Sequence, residues 1–176
     1  GSGEGTAGIA ANAIKNVTVS ESFNAGEIKG TNTAYAGIMH IYGSGNEGTL
    51  FVSDSFNSGA VNGEDYNYGI VVGSHTATNI SRCYNAGALS GTHNSHIGLQ
   101  TGYTNCYTNC YTKTEIETLA LTETLPSGFE SSVWQYNVNE NAASGFGYLY
   151  PQHKENLVYF DYKMGNDTKE YDLMPF

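Results

Sequence analysis

Three cysteines, a loose group of histidines and a scatter of carboxylates are the side chains through which this chain could do chemistry. Cys83, Cys106 and Cys110 make an odd count that fits neither a disulfide framework nor a four-ligand zinc site, and a Cys-x3-Cys pair is weak evidence for a metal. Free Cys favours burial, so the three read as thiols of a packed wall. A disulfide between neighbouring coils of a stacked fold stays open, because stacked strands lie ~4.8 Å apart, inside the Cα separation a bridge accepts. His93 and His96 sit three apart and in repeat phase with His75, but their Asn, Ser and Gly neighbours give no helix to align them and no adjoining carboxylate to orient an imidazole. Asp54, Glu64 and Asp65 carry the hard oxygens that calcium takes. Neither an Asp-x-Asp-x-Asp-Gly loop nor a Gly-Gly-x-Gly-x-Asp repeat holds them, so they read as solvated loop charge. Trp134, Tyr136, Phe146, Tyr148 and Tyr150 gather toward the end of the chain. Aromatic faces flanked by Asn and Asp can stack on sugars, which makes Trp134, Tyr136, Tyr148 and Tyr150 the candidate binding residues. The competing role for the same rings is to cover the open end of a repeat array. No catalytic residue, metal site or cofactor is expected.

The element that must position all of these is a repeat. Val19-Ser20-Glu21-Ser22-Phe23-Asn24-Ala25-Gly26-Glu27-Ile28-Lys29-Gly30 aligns with Val52-Ser53-Asp54-Ser55-Phe56-Asn57-Ser58-Gly59-Ala60-Val61-Asn62-Gly63, and then with Ile80-Ser81-Arg82-Cys83-Tyr84-Asn85-Ala86-Gly87-Ala88-Leu89-Ser90-Gly91. A truncated fourth copy lies within Thr104 to Thr112, where Asn-Cys-Tyr-Thr occurs twice. Ahead of the copies stand Ala7-Gly8-Ile9, Ala36-Gly37-Ile38, Tyr68-Gly69-Ile70 and Ile97-Gly98-Leu99. The Asn spacings of 33 and 28 residues fall in the range of solenoids, propellers and arrays. Val19, Phe23 and Ile28, with their equivalents, are expected to form one inward row, Phe23, Phe56 and Tyr84 an aromatic ladder inside the wall, and Asn24, Asn57 and Asn85 a stack at a corner. The Asn-Ala/Ser-Gly step reads as that corner, since Gly reaches positive φ cheaply. Gly43 to Gly48 and Glu64 to Tyr68 read as loops.

These motifs resemble the GLUG repeats of bacterial surface proteins, whose pattern runs apolar-Gly-apolar and then Cys/Ser-Tyr/Phe-Asn-x-Gly-x-apolar-x-Gly. The resemblance covers about Thr6 to Lys113. The copies here lack a full Gly-Gly-Ile/Leu-Val-Gly core. Such repeats occur in adhesin-like proteins and beside IgA-specific metallopeptidases, so the resemblance implies a secreted or cell-surface bacterial setting and contact with a host. It supplies no catalytic residues, and the zinc-peptidase signature His-Glu-x-x-His is absent from the chain.

From Thr114 the pattern changes. Thr114-Glu115-Ile116-Glu117 has capping-box spacing, and Ile116, Leu119 and Ala120 share one helical face, so a short helix is expected. Pro126 and Gly128 end it, and Phe129, Val133 and Trp134 then give an apolar patch expected to plug the last coil. Leu157 to Lys163 and Thr168 to Leu173 read as a β-hairpin that either completes a cap or begins a following domain.

Composition narrows the classes further. Only 14% of residues are charged, and Gly, Asn, Ser, Thr and Tyr are abundant, which suits strands and tight turns better than a helical bundle. Seventeen acidic against 7 basic residues give a net charge of −10, which repels phosphate backbones and argues against nucleic acid. No apolar run approaches the ~20 residues of a spanning helix, so neither membrane insertion nor a signal peptide is expected. The chain enters its first repeat almost at once and reads as a piece of something longer. The expected fold is a mainly β, right-handed parallel β-solenoid of about four imperfect coils over residues 6–113, with a small mixed α/β cap over 114–176. The expected function is a non-catalytic binding, adhesion or spacer module, in contact with host glycans or glycoproteins such as immunoglobulin and with other domains of its parent. The alternatives are a stalk or accessory domain of a larger surface protease, and a polysaccharide-degrading β-helix enzyme. The last would need basic subsites or paired carboxylates in a groove.

Overall fold

A computed structural model of the chain describes residues 5–13, 16–31, 33–41, 49–73, 78–98, 107–120, 124–136 and 151–153. The protein is mainly β, with parallel sheets of the β-helix-like kind. Among the described residues, five parallel sheets are built from equivalent pieces of successive repeats. The first joins Gly5–Ala7, Ala34–Ala36, Tyr66–Tyr68 and His93–Ser95. The second joins Ala10–Ala13, Met39–Ile41 and Val71–Val72. The third joins Val17–Ser20, Leu50–Ser53, Thr78–Ser81 and Tyr107–Thr108, the fourth Phe23–Asn24, Phe56–Asn57, Tyr84–Asn85 and Tyr111–Thr112, and the fifth Ile28–Lys29, Val61–Asn62 and Leu89–Ser90. The chain visits the sheets in the same order on each pass. Register is strict across most pairs, with Val19 on Val52 on Ile80 and Phe23 on Phe56 on Tyr84. The β-branched and aromatic residues that mark these strands are those that pack well on a pleated surface. Tyr66–Tyr68 is a strand and not the loop expected from Glu64 to Tyr68, because the alternating Tyr66-Asn67-Tyr68 pairs with Ala34–Ala36 on one side and His93–Ser95 on the other. Gly43 to Gly48 lie outside the described residues.

Between the sheets, Val19, Ile38, Met39, Ile41, Leu50, Val52, Ile70, Val71, Ile80, Cys83 and Ile97 form the main core. Each fully buried aliphatic contributes ~1.5–3 kcal/mol relative to exposure. The Asn column belongs to this interior. Asn57 and Asn85 are wholly buried. Asn24 Nδ2 donates to Asn57 Oδ1 (2.8 Å), Asn57 Nδ2 to Asn85 Oδ1 (2.7 Å), and Asn85 Nδ2 to His96 Nδ1 (2.9 Å). Each of the three amides also donates to the carbonyl two residues on, at Gly26, Gly59 and Gly87. A buried polar group without a partner costs ~1–3 kcal/mol, and here every rung supplies the partner of the next.

The corner differs from expectation. Gly26, Gly59 and Gly87 do not take positive φ; the left-handed residues are Glu21 (φ 46°), Asp54 (47°), Arg82 (52°) and Asn109 (52°), one at the same place in each repeat. Gly59 and Gly87 are required by closeness instead, since a Cβ on either would strike the carbonyl oxygen of the glycine in the rung below. The left-handed corner is held by the residue after it. Ser22, Ser55, Cys83 and Cys110 each donate to the carbonyl two residues back, at Ser20, Ser53, Ser81 and Thr108.

The aromatic ladder is present but faces the other way. Side chains alternate along a strand, so with Asn57 turned inward Phe56 turns out. Phe23 stacks on Phe56 at 5.1 Å and 8°, and Phe56 on Tyr84 at 5.0 Å and 1°. Phe56 and Tyr84 are nevertheless buried, in a second cluster with Ile116, Phe129 and Trp134. The C-terminal segment thus lies along the side of the aromatic column and does not plug the last coil. Helix Lys113–Ala120 forms as expected and buries Ile116 fully, with Leu119 half-buried. Its capping box is Thr112-x-x-Glu115, two residues earlier than expected: Glu115 Oε2 accepts from the Thr112 amide (2.7 Å) and hydroxyl (2.8 Å). Both spacings exist in the sequence, and the strand Tyr111–Thr112 that abuts the helix selects the earlier one. Gly128, at φ 83°, turns the chain from Pro126 into Phe129. Trp134–Tyr136 then pairs antiparallel with Pro151–His153. The hairpin expected over Leu157 to Leu173 lies outside the described residues.

The Asn column yields a direct expectation. Asn57→Ala strands the Asn24 donor and the Asn85 acceptor and should cost about 2–4 kcal/mol of unfolding free energy, read from urea midpoints, whereas Asn24→Ala, on the edge strand, should cost about 1 kcal/mol. Equal effects at the two positions would mean that the column does not act as a chain.

Candidate functional site

The densest polar constellation among the described residues sits where the C-terminal segment meets the left-handed corner. Asp54 and Arg82 occupy equivalent corner positions in adjacent repeats, which places one charge above the other. The guanidinium grips the carboxylate with two bonds, Arg82 Nε to Oδ1 at 2.7 Å and Nη2 to Oδ2 at 2.6 Å. Trp134 Nε1 donates to the same Oδ1 at 3.3 Å, and His153 Nε2 donates to the Asp54 carbonyl at 2.6 Å. Tyr84 Oη donates to the Pro151 carbonyl at 2.7 Å. Trp134 is fully buried, its ring 4.5 Å from both Phe129 and His153 and 6.0 Å from Phe56 and Tyr84. It offers no open face, and its work in this arrangement is packing and clamping. Tyr136 is half-buried and donates to the Thr124 carbonyl at 3.0 Å. Tyr148, Tyr150 and Phe146 lie outside the described residues.

Asp54, Glu64 and Asp65, the carboxylates with oxygens of the kind calcium takes, do not converge on one point. Asp54 is committed to Arg82 and Trp134, and Asp65 turns to His93. Among the described residues no group of three or more His, Cys, Asp or Glu side chains could hold a metal ion. Cys83 and Cys110 stack in adjacent repeats, while Cys106 and His75 lie outside the described residues. Among the described residues no helix is long and apolar enough to cross a membrane.

An exposed group, by contrast, assembles on the outer face of the first sheet. His93 stacks on Tyr66 with ring centres 4.7 Å apart and planes within 17°, and its Nδ1 lies 2.7 Å from Asp65 Oδ1. The His93 and Asp65 side chains keep 56% and 37% of their surface exposed. Because His93–Ser95 is an edge strand, the imidazole face turned away from Tyr66 has no registered neighbour among the described residues. The carboxylate partner that His93 lacks along the sequence arrives from the preceding repeat, 28 residues earlier. That offset is the repeat length, so comparison across repeats would have found the pair. His96 instead ends the Asn column. No family model, no curated protein and no solved structure matches the chain.

The buried clamp is expected to be acid-sensitive. Burial raises the Asp54 carboxyl, but the Arg82 and Trp134 hydrogen bonds and the Arg82 charge outweigh it and hold the group below its usual value. Burial pushes His153 below the ordinary imidazole value, against the pull of the Asp54 carbonyl and the nearby carboxylates. Both groups bind fewer protons folded than unfolded, so stability rises with pH through their windows. The His153 contribution is complete above pH ~6.5 and is lost as pH falls through its lower folded value; that of Asp54 is complete above pH ~4 and is lost below that. Trp134 is the sole tryptophan and reports the clamp directly. Its emission should shift to longer wavelength in a first stage beginning below pH ~6.5, and His153→Gln should abolish that stage. Emission unchanged down to pH ~3 would refute the assignment.

Proposed function

We propose that this chain is a non-catalytic binding module of a bacterial cell-surface protein, a right-handed parallel β-solenoid of about four GLUG-type coils with a small mixed α/β cap, which meets host glycans or glycoproteins through an exposed aromatic shelf. One observation carries the binding reading: an exposed His93 stacks on the half-buried Tyr66, with the Asp65 carboxylate at its edge. Ring faces stack on the C–H faces of sugars, and a carboxylate beside them accepts from sugar hydroxyls. The clamp, which holds the other dense set of polar groups, is consumed by packing. The net charge of −10 favours neutral or basic partners over nucleic acid.

A second reading, a spacer or stalk beside another domain such as a surface protease, is favoured by the in-register stacking itself. Such a stack grows in one direction and each repeat leans on its neighbours.

An array of host glycans and mucosal glycoproteins, including immunoglobulin A, separates the two. The binding module should be retained saturably, and the Tyr66→Ala/His93→Ala variant should lose at least about tenfold in affinity, the loss of ~1.4 kcal/mol or more. His93 is exposed, whereas Tyr66 is half-buried against the cluster of Ala34, Ala36, Tyr68 and Val72, so His93→Ala alone, with unchanged circular dichroism, should also weaken retention. Absence of retention by the unaltered chain would leave the spacer reading standing, and turnover of any polysaccharide on the array would overturn both.

A further inference from the structure

We propose that Cys83 and Cys110 are a redox-sensitive staple, a pair that closes into a disulfide between adjacent repeats when the chain meets a small-molecule disulfide oxidant. The register puts them together. Ser81 pairs with Thr108 and Tyr84 with Tyr111, so the residues between, Cys83 and Cys110, occupy the same corner position one rung apart. Parallel strands at ~4.8 Å put such positions within the Cα separation that a disulfide spans. The backbone between them is hydrogen-bonded, with the Tyr111 amide donating to the Cys83 carbonyl at 2.9 Å and the Arg82 amide to the Thr108 carbonyl at 3.0 Å.

The column they belong to reads Ser22, Ser55, Cys83, Cys110, and all four side chains do the same local work, donating to the carbonyl two residues back. A hydroxyl is therefore sufficient to hold the corner. Sulfur stands only in the two adjacent rungs where a cross-link can form. Bridging gives up only weak S–H bonds, from Cys83 to Ser81 O at 3.2 Å and Val52 O at 3.7 Å and from Cys110 to Thr108 O at 3.5 Å, which is a small loss.

The two sulfurs are unequal, and the inequality sets the order of events. Cys110 is half-buried and its thiol is shifted down, first by the hydrogen bond from Cys83 and also by backbone donors and the Arg82 charge. Cys83 is fully buried, and burial pushes its thiol well up. Cys110 is the accessible nucleophile and Cys83 the resolving thiol. The Cys110 thiolate attacks one sulfur of the oxidant RSSR, forming a mixed disulfide and expelling RS⁻. Cys83 passes its proton to a thiolate and attacks the Cys110 sulfur, forming the Cys83–Cys110 bond and expelling the second RS⁻. Two protein thiols lose two electrons, and RSSR gains them to become two RSH. The product ties the last registered strands, and the helix that follows them, to the repeat that carries Arg82 of the clamp.

The test is thiol mapping of the full chain after incubation with oxidised glutathione, followed by alkylation and mass spectrometry without reduction, on the unaltered chain and on Cys106→Ser. A Cys83–Cys110 linked peptide in both, with a melting temperature raised by about 5 °C over the reduced protein, is the expected result. Cys110→Ser should remove both the peptide and the rise while melting like the reduced chain, because Ser already serves this corner in the first two repeats. Alkylated Cys83 and Cys110, or a linked peptide that contains Cys106, would overturn the proposal.

Discussion

Stacking in register at the spacing of hydrogen-bonded strands is the constraint on which the rest of this structure depends. It makes the chief neighbour of each side chain its own equivalent one repeat away. A residue type is then tolerated at a position only if it can sit on itself. Apolar residues do so by excluding water together. Asn does so because an amide carries both a donor and an acceptor, so Asn24, Asn57 and Asn85 pass hydrogen bonds along the stack in one direction. Gly59 and Gly87 fit for the complementary reason, that backbones approach there too closely for a Cβ.

The outward half of the same strands creates a second demand. A column of Phe23, Phe56, Tyr84 and Tyr111 is too apolar to leave in water, and the C-terminal segment covers most of it. Phe23, at the edge, stays 38% exposed. The cover is not held by apolar contact alone, which is non-directional. Trp134 and His153 both fasten to Asp54, and Arg82 steadies Asp54 from the next rung. With the Asp54 side chain 12% exposed, removal of Arg82 would leave a largely buried charge unpaired, so the corner and the cover stand or fall together.

Much of this was legible in the sequence, and the limits have physical causes. Repeat spacing and the Asn, aromatic and apolar columns follow from aligning the chain with itself, because stacking converts sequence phase into contact. The facing of Phe23, Phe56 and Tyr84 did not follow. Val19, Phe23 and Ile28 share a row in the alignment, but the left-handed residue at Glu21 breaks the alternation between the third and fourth sheets and reverses which side is inward. Positive φ at Glu21 and Arg82 has no residue-type signature, since only Asp54 and Asn109 among the four corner residues are types enriched there. The Asp65–His93 pair was invisible along the chain and plain across repeats. Trp134 looked like a binding residue because an exposed and a buried indole are identical in composition.

Chemistry in such a fold arises where a column departs from its own rule. On the outer face of the first sheet the registered residues run Gly5, Ala34, Tyr66, His93, so an aromatic shelf appears only in the later repeats. At the corner the column runs Glu21, Asp54, Arg82, Asn109, and a single change of sign between adjacent rungs creates the ion pair that receives the cover. One residue further on, Ser, Ser, Cys, Cys keeps the local hydrogen bond while changing what the side chain can become. The columns that repeat faithfully are buried and hold the stack. Those that drift face outward or lie at the corner, where a new side chain need satisfy only one neighbour and can acquire a role without disturbing the register beneath it.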